Sequence, residues 1–161
     1  MDMLRAAGGI PLAPLAVRFQ PDKGSMKRTQ ARLLPGYVFF DFDGAPDWDT
    51  IRRHSGVIKA LQYEDGARAL RDGDLAFVRW LRQYEGLIDV SEAVRVGTKL
   101  AFVSGPLVGM EAQVLKVNKS RKQVQIAFGD ENAIFRKIWC SVAYIEGNTD
   151  MDLAGRNAGE P

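Results

Sequence analysis

The sequence predicts an α+β chain in which a mixed helix-and-strand domain precedes a small all-β domain. Three observations predict it. Two stretches with helical spacing and clear punctuation fall in the first 86 residues, around Trp48–Ile51 and Leu75–Tyr84. From Val94 onward that spacing stops, and five short strand-like runs follow within about 50 residues. The chain has 161 residues, 46% apolar and 26% charged, which is ordinary for a globular protein and enough for two small domains.

In chain order, residues 1–7 read as a helix end stopped by Gly8-Gly9. Residues 12–19 read as a strand that Pro11 and Pro14 confine to an edge. Five bases (Arg18, Lys23, Lys27, Arg28, Arg32) and one acid, Asp22, lie in 18–32, with Gly, Ser, Thr and Gln between them. This is expected to be a mobile basic loop. The turn Leu33-Leu34-Pro35-Gly36 feeds an aromatic strand at 37–42. Alternation puts Tyr37, Phe39 and Asp41 on one face and Val38, Phe40 and Phe42 on the other. Both faces start apolar, so the strand needs cover on both sides or a partner.

Pro46-Asp47 opens a short helix with Gly56 just past its end, and 57–62 reads as a short strand. Asp72 or Asp74 is expected to cap a helix running to about Tyr84. Its stripe is Leu75, Val78 and Leu81, flanked by Phe77, Trp80 and Tyr84, and Gly86 ends it. The later strands are expected at 99–103, 112–117, 123–128, 133–139 and 142–145, with a hairpin turn at 118–121. Many short strands suggest a small closed barrel, since closure removes edges. The expected organisation is a first domain at 1–86, a linker at 87–94, a barrel at 95–147 and a disordered tail at 148–161.

Composition removes several function classes. One cysteine, Cys140, allows no internal disulfide, and with one histidine, His54, it falls short of the four ligands of a structural zinc site. No phosphate-binding Gly-rich loop is present. No convergent set of titratable groups marks an enzyme, and no cofactor is expected. Met1-Asp2 and the early Gly-Gly-Ile-Pro do not read as a signal peptide, and no run approaches a membrane span, so a cytoplasmic protein is expected. Net charge is only +2, but the bases cluster at 18–32 and again at Lys116, Lys119, Arg121 and Lys122. Two basic segments on separate elements point to a polyanion partner.

The stretch Gly97-Thr-Lys-Leu-Ala-Phe-Val-Ser-Gly-Pro-Leu-Val-Gly109 resembles a KOW motif. Upstream, Leu33-Leu-Pro-Gly-Tyr-Val-Phe-Phe-Asp-Phe, then Trp48, then Ile51-Arg-Arg-His-Ser-Gly-Val-Ile-Lys-Ala-Leu61, resembles the N-terminal domain of the NusG family. In this order the two cover about residues 15–146. The resemblance implies a small antiparallel sheet with helices, followed by an SH3-like KOW β-barrel. It implies a monomeric, non-enzymatic transcription regulator that binds RNA polymerase and promotes processive elongation. Carried across residue by residue, Leu34, Tyr37 and Phe39 match the pocket that receives the clamp helices of the largest polymerase subunit. Lys23, Lys27, Arg28, Arg52 and Arg53 become candidate contacts to upstream or non-template DNA.

This chain also departs from the pattern. The family's first strand, of the type Trp-Tyr-Val, has no match and is expected to be missing. The loop that recruits Rho or the ribosome reads Ala127-Phe128-Gly129-Asp130 here, with an acid where the family has a base, so that recruitment is expected to be weakened. The segment 88–97 looks more like the specialised LoaP-type antiterminators, which act with a leader RNA hairpin. That likeness makes Lys119, Arg121 and Lys122 candidate RNA contacts. The alternative is a KOW-type RNA-binding or ribosome-associated module without a polymerase role, which requires the Tyr37 patch to be buried.

Overall fold

The computed structural model describes residues 2–6 and 8–145, and it is an α+β fold. The tail expected at 148–161 lies outside the described residues. The element order is α1 (Asp2–Ala6), β1 (Gly9–Leu12), β2 (Leu15–Asp22), β3 (Ser25–Arg32), β4 (Phe39–Phe42), α2 (Trp48–Arg53) and α3 (Asp72–Gln83). There follow β5 (Leu87–Ile88), β6 (Ser91–Val96), β7 (Lys99–Ser104), a 3-10 turn at Glu111–Gln113, β8 (Val114–Asn118), β9 (Gln123–Ala127) and β10 (Lys137–Tyr144).

The chain forms two compact units, and neither is continuous in sequence. Of the described residues, the first takes those up to Leu15, Arg32–Leu87 and Phe128–Arg136; the second takes Ala16–Ala31, Ile88–Ala127 and those from Lys137 on. One cut between the units falls after Leu87, and each unit draws segments from both sides of it. The expected linker at 87–94 holds β5 and the start of β6 instead. Ile88, Val90 and Ala93 are buried there, and apolar residues at that spacing are drawn into a sheet.

In the first unit β1 and β4 form a two-stranded antiparallel sheet, with Gly9 opposite Phe42 and Leu12 opposite Phe39. Asp47 starts α2: its carboxylate accepts from the Thr50 backbone N–H and, at 2.6 Å, from the Thr50 hydroxyl. These bonds, the hydroxyl's first, hold its carboxyl below the ordinary value. Ile51 is the residue that α2 buries. After it, 57–62 forms no strand. Ile58 is 99% exposed, and a β-branched run becomes a strand only where a ladder partner exists.

Helix α3 buries Asp74, Phe77, Val78 and Leu81, one line at i, i+3, i+4 and i+7. It ends in a Schellman turn: the Gly86 N–H reaches the Leu81 carbonyl and the Glu85 N–H reaches that of Arg82. Glu85 itself takes the left-handed conformation, with φ of +54°.

Asp74 does not cap the helix; Arg71 occupies the cap position without a side-chain bond. The Asp74 carboxylate is 1% exposed and accepts from the Tyr63 hydroxyl at 2.7 Å and from the backbone N–H groups of Ile134 at 3.0 Å and Phe135 at 2.8 Å. It pins residues 134–135 to α3 from 60 positions away. Asp74→Ala takes the acceptor from the buried Phe135 N–H and from the part-buried Tyr63 and Ile134 donors, at about 1–3 kcal/mol for a buried donor left unmet. Urea unfolding is therefore expected to show a loss of about 2–3 kcal/mol. A loss under about 0.5 kcal/mol would place this pin outside the stable core.

The second unit carries two sheets. One has the order β3-β2-β5, and the other the order β7-β6-β10-β9-β8. The expected basic loop is the β2–β3 hairpin. Lys23 and Gly24 turn it with φ of +47° and +85°, the positive pair that a two-residue hairpin turn needs.

In the five-stranded sheet β10 is central. It pairs antiparallel with β9, Cys140 opposite Val124, and parallel with β6, Val142 opposite Ser91. Its single eight-residue span replaces the two strands expected at 133–139 and 142–145. The sheet curls, but no ladder joins its outer strands β7 and β8 among the described residues, so the expected closed barrel is an open one. The connection after β7 is anchored at Gly105, whose φ is +90° and whose added Cβ would lie 2.7 Å from the Ser91 Cα. The Ser91 hydroxyl accepts from the Leu107 N–H at 3.0 Å.

Candidate nucleic-acid interface

The second unit brings both predicted basic clusters to one ring. Phe19, on β2, has the Arg28 guanidinium of β3 at 5.7 Å from its centroid and the Lys122 Nζ at 5.1 Å. Cations settle on aromatic faces because the ring's quadrupole is negative there. Lys122 begins the β9 side of the β8–β9 hairpin, with φ of +51°. The turn is built locally: Asn118 Oδ1 accepts from the Arg121 N–H and the Ser120 hydroxyl, and the Lys119 carbonyl accepts from the Lys122 N–H. Lys119 and Arg121 are thereby presented to solvent.

Lys122 also lines an open cleft of about 390 Å³ at the end of the five-stranded sheet. Arg95, Lys99 and Lys119 are the other cations of its wall; Leu100, Val117, Tyr144 and Ile145 supply the apolar surface, and Thr98 a hydroxyl. No carboxylate lines it, and none forms an ion pair with these four cations among the described residues. Tyr144 is 42% exposed. Partial burial raises its hydroxyl pKa against the opposing pull of Arg95, so it is a neutral ring and donor at pH 7.

Sequence reasoning singled out Lys119 and Lys122 but missed Arg95, Lys99, Phe19 and Tyr144. The usable signal was the pair of turns, Gly97-Thr98 between Arg95 and Lys99 and 118–121 between Lys116 and Lys122. Antiparallel neighbours stack alternate turns at one end of a sheet. The parallel β6–β10 pair, which also brings Tyr144 there, carries no sequence signature.

The other predicted bases are placed differently. Lys23 sits in the hairpin turn, and Lys27 is 3.7 Å from Asp22. Arg52 and Arg53 belong to the first unit, where Arg52 is committed to Asp49 at 2.7 Å and to the Trp48 carbonyl. His54 is exposed, and its Nδ1 accepts the Gly56 N–H. Cys140 is fully buried, and burial pushes its thiol up to about 12, so it supplies no thiolate near neutral pH.

The predicted protein-docking residues divide. Leu34 is half-buried and Tyr37 is 43% exposed, its ring edge-on to Phe135 at 5.4 Å. Phe39 corrects the expectation of an uncovered ring surface. It is 6% exposed and packs on Phe135 at 4.8 Å and Phe77 at 6.0 Å, inside the first unit's own core.

The predicted recruiting loop is also engaged. Phe128 is buried against Phe77 and Trp80, both at 5.1 Å, and the Gly129 backbone lies directly on Gly73. Asp130 remains exposed, and its carboxylate accepts from the Asn132 N–H. These positions close up because rings at 77, 128 and 135 bury more surface together than any one of them alone.

No protein-family model matches the chain, and no curated protein matches it. No helix among the described residues is long and apolar enough to cross a membrane.

Proposed function

We propose that this protein is a nucleic-acid-binding regulator of transcript elongation of the NusG type, acting without catalysis and contacting nucleic acid through the second unit. One observation carries the nucleic-acid part: four cations gather around an apolar, Tyr-bearing cleft and, among the described residues, none has an ion-pair partner and no acid lines the wall. Cations neutralise phosphates and the ring accepts a base, the two chemistries that polynucleotide grooves combine. The polymerase part rests on the order and spacing of the Leu33–Leu61 and Gly97–Gly109 motifs, with Leu34 and the half-exposed Tyr37 as its docking residues.

Tyr37→Ala is expected to cut recovery of RNA polymerase in a co-purification about tenfold, since an aromatic anchor at an interface carries about 2 kcal/mol or more. Phe39→Ala is not a clean probe, because that ring is core. The second reading, an RNA-binding module with no polymerase role, is favoured by the burial of Phe39. Undiminished polymerase recovery by a folded Tyr37→Ala variant removes the Tyr37 docking site. No recovery by the unaltered chain leaves the second reading standing.

A further inference from the structure

We infer that the cleft of the second unit is a single-strand site, taking an unstacked nucleobase against Tyr144 and its flanking phosphates on the surrounding cations, with the strand continuing past Phe19 onto the β2–β3 hairpin. The inference rests on the nucleic-acid reading above and names its ligand more closely. The apolar surface argues against a duplex. Leu100, Val117 and the face of the Tyr144 ring offer a phosphate nothing, and a duplex hides its base faces in the stack. A single strand presents a base face to the ring and phosphates to the cations at once. The cleft, at about 390 Å³, is in the lower part of the range of ligand-sized clefts, about 300–1,000 Å³.

The continuation past the cleft argues against a lone nucleotide. Lys122 belongs to the cleft wall and to the Phe19 ring together, and Arg28 sits on that same ring. Neither has an ion-pair partner among the described residues. A free nucleotide would fill the cleft and leave Phe19 and Arg28 unused, whereas a polymer meets both.

The test is fluorescence anisotropy on the full chain with a labelled oligonucleotide of about 12 nucleotides, as RNA, as DNA and as the blunt duplex. Either single strand is expected to bind about tenfold tighter than the duplex or better. Tyr144→Ala is expected to lose about tenfold of that affinity, the ordinary worth of one stacked base, and Tyr144→Phe to retain it. Arg28→Gln is expected to weaken the oligonucleotide severalfold.

A duplex that binds as tightly as the strands overturns the inference and leaves the nucleic-acid reading intact. So does a folded Tyr144→Ala variant with unchanged affinity, or displacement of the strand by an equal concentration of a nucleoside triphosphate. Failure of every form to bind at low salt overturns both.

Discussion

Phe77→Ala is expected to cost the first unit about 3–5 kcal/mol, the largest single-residue loss in the chain. Phe77 has no solvent exposure. Its ring meets Phe39 at 6.0 Å, Trp80 at 6.2 Å, Phe128 at 5.1 Å and Phe135 at 6.0 Å. Truncation removes the transfer energy of a full aromatic side chain and leaves a hole that four rings on three separate segments must close. They cannot all move in, because Asp74 fixes 134–135 and the Gly73–Gly129 contact fixes the loop before it. Phe77→Leu keeps most of the volume and is expected to cost under about 1.5 kcal/mol. Trp80 reports the change directly by fluorescence during urea unfolding, since it stacks on Phe77 and lies against Phe128. A loss below about 1 kcal/mol for the alanine variant would mean that the ring cluster is not what organises this unit.

The same cluster marks how far the sequence could be read. Local signals carried α2 and α3: Asp47 before Trp48, the 3.6-residue stripe through Leu81, and Gly86 after it. Strand β9 was legible because Val124 and Ile126 alternate with glutamines. Asp74 was misread because an acid near a helix start usually caps it, although it also falls on the buried line of Phe77, Val78 and Leu81. Its partners, Ile134 and Phe135, are too distant in sequence for any local pattern to connect them.

Residues 18–32 were read by charge, when the Lys23-Gly24 turn was the stronger structural signal. In the candidate site the charged half was visible as the two basic runs. Their meeting at Phe19 was not, because it depends on which strands become neighbours.

Charge removal at that meeting point gives the largest expected effect on binding. Lys119→Gln together with Lys122→Gln takes two of the four cations out of the cleft wall. For a single strand, each phosphate contact contributes about 0.7 to the slope of log affinity against log salt, so the double variant is expected to flatten that slope by about 1.4. At about 0.1 M salt, where each such contact is worth about fivefold, affinity should fall about 25-fold. Folding should be untouched by the Lys119 change, because its side chain is solvent-exposed. Lys122 gives up its place over Phe19, a contact of about 0.5–1 kcal/mol at a surface site, and Arg28 still covers that ring. The slope separates two explanations that an affinity loss alone would merge. A variant that binds weakly because its hairpin has shifted keeps the original salt dependence for whatever binding remains, whereas one that has lost phosphate contacts does not. Equal slopes for the parent and the double variant would therefore place the bound phosphates elsewhere, with Arg52 and Arg53 of α2 the next pair to neutralise.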